Sequence, residues 1–211
     1  MENTVLITGF DPFGGESINP SWEAVKLLPA QLENAQIISK EIPTSFEKAP
    51  LLLKEYIQEY KPNMVICVGQ AGGRPSVTIE RVAINIQDAS IPDNNNYQPN
   101  DVPVIPAGPD AYLSNLPIKE MVSAVNNAGF PCFISNSAGT YVCNTLMYTA
   151  LHELNKLDNE SKSRQKRQAG FIHVPFTCEQ VIHQGKNYPS MKLEDISTCL
   201  KAAIIKAINL Y

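Results

Sequence analysis

The residues best placed for chemistry surround Cys143, in the segment 135–145 (SNSAGTYVCNT). A strand-like run, PCFIS, leads into this glycine-containing loop, and an amphipathic helix is predicted to begin near Tyr141. Cys143 would then lie in the first turn, where unpaired N–H groups and the positive end of the helix dipole favour thiolate over thiol. The same N–H groups can bind a developing oxyanion during acyl transfer. The pattern predicts a nucleophilic cysteine with a lowered pKa.

The alternative for each of the five cysteines is a small, buried, inert side chain. We expect that role for Cys67, Cys132 and Cys199, which lie in apolar runs, and we treat Cys178 as a fourth buried thiol. The spacing of the five forms neither a CxxC pair nor a zinc-binding pattern.

A nucleophilic cysteine needs a general base, and the sequence offers three histidines. His173 ends the run AGFIHVPF just before Pro175, which places it at the carboxyl edge of a parallel sheet. His152 lies about two to three turns along the helix from Cys143, so its side chain cannot return to the helix start. His183 has no distinguishing context. We therefore predict His173 as the base, with a structural histidine as the alternative.

Glu80 is the predicted acid that orients this base. Its carboxyl lies inside the apolar, strand-like run VTIERVAIN, and a carboxylate there is rarely buried without a partner. An ion pair with Arg81 or Arg74 would account for it. A hydrogen bond to the imidazole of His173 would instead make it the third member of a triad. Both interpretations stay open from the sequence.

Two glycine clusters follow strand-like runs, at the edge where open α/β sheets bind ligands. The first, residues 9–15 (GFDPFGG), lacks the spacing of a dinucleotide or Walker loop, and nearby acidic residues oppose phosphate. Its Phe10 and Phe13 predict an apolar pocket wall or, alternatively, core packing. The second, residues 69–74 (GQAGGR), could hold phosphate on its N–H groups or form a tight turn.

Short apolar runs alternate with helical patterns along the chain. The predicted strands, apolar enough to be buried on both faces, cover 5–9, 64–68, 132–135 and 170–174. The predicted helices are a short one capped by Asn19, one after a capping box at 44–47 that stops at 61–62, one over 117–129, the helix that starts near 141, and one over 192–210. This alternation predicts an α/β protein, a single α/β/α domain over residues 1–211 with a mostly parallel central sheet.

Two segments fall outside the alternation. Residues 88–110 are rich in Pro and Asn and too long for an ordinary connection, so we expect a functional loop or an interaction surface. The basic run 161–167 (SKSRQKR) is expected to be a solvated linker.

Composition excludes several classes of function. The 211 residues are 44% hydrophobic, which is incompatible with a disordered chain, and the net charge of −4 argues against a nucleic-acid or anionic-membrane surface. The acidic start MENTVLITGF does not resemble a signal peptide, and no apolar stretch approaches about 18 residues. We expect a cytoplasmic protein with reduced thiols.

The sequence resembles the pyroglutamyl-peptidase I (pyrrolidone-carboxylate peptidase) family of cysteine peptidases. Segments spanning nearly the full chain carry this resemblance: ITGFDPFGGESINPSWEAV, ICVGQAGGR, ERVAIN, IPDN, SNSAGTYVCN and GFIHVPF. The resemblance implies removal of an N-terminal pyroglutamyl residue from peptides through a thioester, by a triad of Glu80, Cys143 and His173. It also implies an α/β/α sandwich that often forms a tetramer and needs no metal or organic cofactor.

The resemblance also implies a pocket for the flat, neutral lactam ring. Phe10 and Phe13 would hold the ring, and the hydrogen-bonding positions and further walls would be the Gln70 backbone, the Asn19 side chain, Tyr141, Val142 and Ile91. Such a pocket is expected to reject proline, because proline lacks the ring carbonyl and would leave buried groups unpaired.

Three positions depart from the family pattern: Ile79 where relatives commonly have proline, Ser90 where many have arginine, and Thr145 where histidine is frequent. If that arginine supports the oxyanion or substrate in relatives, its role is unfilled here and a lower rate or affinity is expected. Three other functions stay open: a cysteine hydrolase or amidotransferase with another acyl specificity, a module that binds sugar phosphates or nucleosides, and a non-catalytic protein with an inert Cys143.

Overall fold

The computed structural model describes residues 3–161, 166–185 and 187–211. The strands are β1 (Asn3–Phe10), β2 (Gln31–Leu32), β3 (Ala35–Ile42), β4 (Met64–Gln70), β5 (Val77–Glu80), β6 (Val82–Ile84), β7 (Ala111–Leu113), β8 (Cys132–Ser135), β9 (Gln168–Val174), β10 (Phe176–Thr177) and β11 (Ser190–Met191). The helices are α1 (Pro20–Lys26), α2 (Lys48–Tyr60), α3 (Ile118–Asn127), α4 (Val142–Ser161), α5 (Cys178–Gln184) and α6 (Leu193–Ile208).

A seven-stranded sheet lies at the centre, in the order β2-β3-β1-β4-β9-β5-β8. Its pairs are parallel except β2 with β3 and β5 with β9, so the predicted mostly parallel sheet is confirmed. Two small pairs lie outside it, β6 with β7 and β10 with β11. Because β1, β4 and β9 run in the same direction, the loops that follow them meet at one edge.

Helices cover both faces of the sheet, which confirms the α/β/α arrangement. Successive residues of β1 point to opposite faces, so Val5 and Ile7 pack with α1, α3 and α6 whereas Leu6 packs with α2 and α4. β4 repeats this alternation, with Ile66 on the first face and Cys67 on the second. Both faces of each strand are buried, which is why these runs are apolar throughout.

The predicted strands and helices are confirmed within a few residues at their ends. Asn19 caps α1, its side-chain oxygen accepting from the N–H of Ser21. The capping box predicted over 44–47 is wrong, because Glu47 makes no side-chain cap bond and the Ser45 hydroxyl accepts from the N–H of Lys48 instead. The sequence did not predict β2, β3, β7, β10, β11 or α5.

The predicted linker 161–167 lies mostly outside the described residues. Arg167 at its end is ordered by Asp158, which accepts from both its backbone N–H and its guanidinium. None of the described helices combines the length and apolar character needed to cross a bilayer. That residues 1–211 form a single domain stays a prediction.

Candidate active site

A glycine on β4 and a histidine on β9 lie side by side at the edge where both strands end. Gly69 is the register partner of His173. Cys143 is the second residue of α4, as the sequence predicted, and its sulfur lies over Gly69. A Cβ at residue 69 would lie 2.9 Å from Cys143 Sγ and 2.7 Å from the ring of Phe171. The missing side chain of Gly69 therefore makes the space that the thiol occupies beside His173.

The antiparallel strand β5 brings Glu80 to the same histidine. Thr78 lies opposite His173, so Glu80 is a diagonal neighbour of the imidazole on the same face of the sheet. His173 Nδ1 lies 2.7 Å from Glu80 Oε1. An ionised carboxylate can only accept, so Nδ1 carries the proton and Nε2 is free to take one.

Arg74 binds the same carboxylate oxygen. Its Nη1 lies 2.7 Å from Glu80 Oε1 and 2.6 Å from Thr78 Oγ1. Glu80 Oε1 therefore makes both of the predicted interactions, the ion pair with Arg74 and the hydrogen bond to His173. Arg81 instead donates to Asn136. Glu80 Oε2 is buried without a hydrogen-bond partner among the described residues.

The ionisation of the glutamate and the histidine follows from this geometry. Burial opposes the charge on Glu80, but the hydrogen bond from His173, the attraction to its imidazolium form when protonated, and hydrogen bonds from Ser135 and Arg74 outweigh it and lower the pKa of the carboxyl. Burial, together with the positive charge of Arg74, lowers the pKa of His173 more than Glu80 raises it. The resting site thus holds a carboxylate and a neutral imidazole.

The prediction of a lowered pKa for Cys143 is wrong. Burial raises the pKa of the Cys143 thiol to about 12, and the negative charge of Glu80 adds to the effect. The start of α4 and the Arg74 charge do not offset the loss of water around the sulfur. The resting nucleophile is a neutral thiol, so proton transfer to His173 has to accompany attack.

A pocket of about 120 Å³ opens beside the thiol, and its lining residues are Phe10, Phe13, Asn19, Thr44, Gln70, Ala138, Tyr141, Val142, Cys143 and His173. Glu80 lies behind His173, outside the pocket. Ile91 does not line it and is 46% exposed, so the expected wall at this position is not formed. The neighbouring Pro92 approaches through its carbonyl, which accepts from the Tyr141 hydroxyl. Sequence reasoning missed Thr44 and Ala138.

The two phenylalanines of the first glycine cluster have different surroundings. Phe10 is 3% exposed and packs on Phe171, with ring centroids 6.4 Å apart, so it is both a core residue and a pocket wall. Phe13 is half-buried and packs on Tyr141 at 6.2 Å. Phe10 is therefore both a core residue and part of the pocket wall, whereas Phe13 is part of the pocket wall only.

The polar pocket residues are held from behind. The Asn19 oxygen accepts from the Ser21 backbone and hydroxyl, and its nitrogen donates to the Asp11 carbonyl, which leaves one N–H for a ligand. The Gln70 side chain accepts from Gln180 Nε2 at 3.0 Å.

The loop 88–110 is tied to both pocket loops. Thr140, just before α4, donates to the Asp88 carbonyl, and Asn94 donates to the Pro12 carbonyl in the first glycine cluster. Asp93 is buried and accepts from the backbone N–H groups of Phe46 and Tyr97. Residues 88–97 thereby fix the position of the Tyr141 wall relative to the first glycine cluster.

The remaining cysteines differ in burial. Cys67, Cys132 and Cys199 are buried as predicted, and burial raises the pKa of each thiol to about 12. The expectation that Cys178 is also buried is wrong, because it lies partly exposed at the start of α5, where its sulfur accepts from Ser190.

The three departures from the family pattern have distinct environments. Ile79 packs in the core against the α1, α3 and α6 face, and Thr145 is buried and accepts from Gln87. Ser90 is exposed. Within the described ranges, no group of three or more His, Cys, Asp or Glu side chains is arranged to hold a metal ion.

Comparison with known proteins gives a consistent match. The family model described as pyroglutamyl peptidase matches residues 3–210. Pyrrolidone-carboxylate peptidases of Thermococcus onnurineus and Bacillus cereus are each 52% identical, over 91% and 95% of this chain and 92% and 91% of their own lengths.

Solved structures agree in fold. Pyroglutamyl peptidase I from Bacillus amyloliquefaciens is 45% identical with a TM-score of 0.91, covering 98% of this chain and 95% of its own. The pyrrolidone carboxyl peptidase from Thermococcus litoralis is 40% identical with a TM-score of 0.90, covering 98% and 94%. The resemblance noted in the sequence is confirmed, and the chain belongs to the pyroglutamyl peptidase family.

Proposed function

We propose that this chain removes an N-terminal pyroglutamyl residue from peptides, with Cys143 as nucleophile, His173 as general base and acid, and Glu80 as the residue that orients the base. One observation carries the assignment: the thiol, seated over Gly69, and the imidazole, bonded to Glu80, line one small pocket. The family to which the chain belongs supports the same reaction.

The reaction begins from a neutral thiol and a neutral imidazole. His173 Nε2 takes the Cys143 proton as sulfur attacks the pyroglutamyl carbonyl carbon, so an S–C bond forms and the carbonyl oxygen becomes an oxyanion. The unpaired N–H groups at the start of α4 are positioned to receive that charge. The C–N bond then breaks, and the imidazolium gives its proton to the departing amine.

Hydrolysis of the thioester completes the cycle. The neutral imidazole takes a proton from water as the water oxygen attacks the thioester carbon. The S–C bond breaks, the sulfur recovers its proton from the imidazolium, and pyroglutamate is released. Glu80 holds the Nδ1 proton throughout, so that Nε2 is the atom that exchanges protons in both halves.

The pocket composition supports a neutral lactam as the bound group. None of its lining residues is a carboxylate, so nothing in the wall would pair with the ammonium of an unblocked peptide. The rings of Phe10, Phe13 and Tyr141 supply apolar surface for a flat ring. We assign the lactam hydrogen bonds to the Gln70 backbone and the remaining N–H of Asn19.

A tight turn explains the second glycine cluster, residues 69–74, more simply than a phosphate-binding site does. Gly73 has a φ of +87° and the N–H of Arg74 bonds to the Ala71 carbonyl, as in a tight turn. A Cβ at Gly72 would lie 2.2 Å from the Phe176 ring. Turn geometry and close packing account for both glycines without a phosphate ligand.

The family resemblance supports a proposal about assembly, and the sequence composition supports one about location. We propose that the chain acts in the cytoplasm as a homo-oligomer, a tetramer by resemblance, on peptide substrates and without a metal, cofactor or nucleic-acid partner. Light scattering coupled to size-exclusion chromatography tests the assembly, and a monomer at micromolar concentration would contradict it.

A fluorogenic pyroglutamyl amide, assayed beside prolyl and glutamyl analogues, tests the specificity. We expect turnover of the pyroglutamyl amide, with the prolyl analogue rejected by about 10⁴-fold because it lacks the ring carbonyl. Equal turnover of all three substrates would overturn the assignment and favour a cysteine hydrolase of broad acyl specificity.

A further inference from the structure

Arg74 shares a single oxygen of Glu80 with the catalytic histidine, and the reaction described above gives it no task. We propose that Arg74 is a positioning residue that fixes Glu80 Oε1 on His173 Nδ1, and that its charge sets the pH at which His173 becomes a base. The inference rests on the proposed function, since it assumes that His173 is the base.

The contacts of Arg74 fit such a task. The Glu80 side chain is 0% exposed, whereas the Arg74 side chain is 34% exposed. The partly solvated guanidinium therefore places a positive charge next to a carboxylate that is buried. Arg74 is held twice, by Glu80 and by Thr78, which lies opposite His173. Both strong donors to Glu80 use Oε1, and Oε2 has no partner among the described residues. Without Arg74, the imidazole would be the main group holding the carboxylate, with the Ser135 side chain nearby.

The charges around His173 are few. β5 contributes Glu80, the turn before it contributes Arg74, and α4 contributes the neutral thiol of Cys143, which lines the same pocket. On its own strand the imidazole meets the uncharged ring of Phe171. The positive charge of Arg74 therefore compensates the negative charge of Glu80.

Removing the Arg74 charge would leave Glu80 uncompensated beside the imidazole. An uncompensated carboxylate favours the imidazolium, and a nearby charge of this kind typically shifts a pKa by about one unit or more. His173 would then be protonated at a pH where the wild-type residue is a free base, and a protonated imidazole cannot accept the Cys143 proton.

The test compares Arg74→Gln, which keeps a donor but loses the charge, with Arg74→Lys, which keeps the charge. Arg81→Ala is the matched control, because Arg81 lies on the same segment but donates to Asn136. For each full-length protein, kcat/KM on a pyroglutamyl amide is measured from about pH 5 to about pH 9. In parallel, the His173 ring is titrated by NMR and assigned by comparison with His173→Gln.

We expect Arg74→Gln to move the acid limb of kcat/KM and the His173 titration upward together, by about one pH unit. The variant should lose activity on the acid side of the range and recover part of it at higher pH. Arg74→Lys and Arg81→Ala should keep both midpoints near the wild-type values.

If Arg74→Gln lowers kcat/KM by the same factor at every pH and leaves the His173 titration unchanged, the inference is overturned and Arg74 only forms a structural ion pair. The same holds if Arg74→Lys shifts as far as Arg74→Gln. Either result leaves the proposed function intact, because that function is tested separately, by the activity of Cys143→Ala and His173→Ala and by turnover of the prolyl and glutamyl analogues. Circular dichroism checks that each variant is folded. If Arg74→Gln does not fold, Arg74→Lys still tests the inference, because it should keep the midpoints of the kcat/KM acid limb and of the His173 titration.

Discussion

The Cys143 sulfur occupies the space that a side chain at Gly69 would fill, 2.9 Å from the position of the absent Cβ. Gly69 is also the register partner of His173. The distance between nucleophile and base is therefore set by how closely α4 approaches β4, and that approach requires glycine at residue 69.

Gly69→Ala should strongly reduce kcat/KM while the protein remains folded. The methyl group would collide with both Sγ and the Phe171 ring and displace the thiol from His173. A displacement of about 1 Å can cost roughly 10²-fold in rate, so we expect at least that loss in kcat/KM.

The control for this change is Gly129→Ala. Gly129 follows the end of α3, with a φ of +91° and open space around its Cβ position. Alanine at residue 129 would therefore strain the backbone, at a place that is not part of the pocket lining. It should lower the melting temperature and leave kcat/KM unchanged. Wild-type kcat/KM for Gly69→Ala would contradict the packing argument.

Alkylation should report a neutral Cys143 thiol that depends on His173. Because burial raises the pKa of this thiol to about 12, little thiolate exists near neutral pH and labelling by iodoacetamide should rise steadily with pH. Cys143 and the partly exposed Cys178 should be labelled before the three buried cysteines.

Peptide mass spectrometry of the labelled protein measures this for each cysteine. His173→Gln should slow labelling of Cys143 and leave Cys178 unchanged, which provides an internal control. A rate at Cys143 that is constant from about pH 5 to about pH 8 would indicate a preformed thiolate and contradict the neutral pair.

Stability should fall on acidification, partly because of His173. Burial lowers its pKa from the ordinary value of 6.5, so below that value the unfolded chain binds a proton that the folded chain does not. The stabilisation is complete above the unfolded pKa and is lost as pH falls through the folded one. Glu80, with a pKa lowered from 4.5, contributes in the same direction at more acidic pH.

Urea unfolding at a series of pH values measures this dependence. The free energy of unfolding of the wild type should decrease between about pH 7 and about pH 5, and His173→Gln should show a smaller slope over the same window. Equal slopes for the two proteins would mean that His173 is not a buried neutral group.

Asp93 should hold the loop against the pocket. Its carboxylate accepts from the backbone N–H groups of Phe46, Asn95 and Tyr97. Asp93→Ala would leave these groups unpaired, so we expect a loss of about 2–4 kcal/mol in unfolding free energy and a raised KM. Asp88→Ala, whose side chain is exposed, is the control and should change neither; an unchanged Asp93→Ala would show that the loop is held elsewhere.

Local patterns in the sequence were enough to predict the start of α4, the strand that ends at His173 and the apolar walls of the pocket. They could not predict that β5 runs antiparallel to β9, because strand order depends on packing between segments far apart in the chain. That pairing is what lets Glu80 reach His173, and the sequence therefore left its partner open.

The pKa of Cys143 was missed for a related reason. Its position at a helix start is visible in the sequence, but the burial that opposes ionisation depends on β4 and β9 packing against the start of α4. Similarly, the shared oxygen of Glu80 became apparent only when Arg74 and His173 were placed in three dimensions.

Hydrolysis of a pyroglutamyl amide by Cys143→Ala tests the central claim most directly, with Cys143→Ser and His173→Ala measured beside it. We expect Cys143→Ala to lose activity by about 10⁴-fold or more while remaining folded, since no other described residue lining the pocket carries a thiol. Near wild-type hydrolysis by Cys143→Ala would contradict the account.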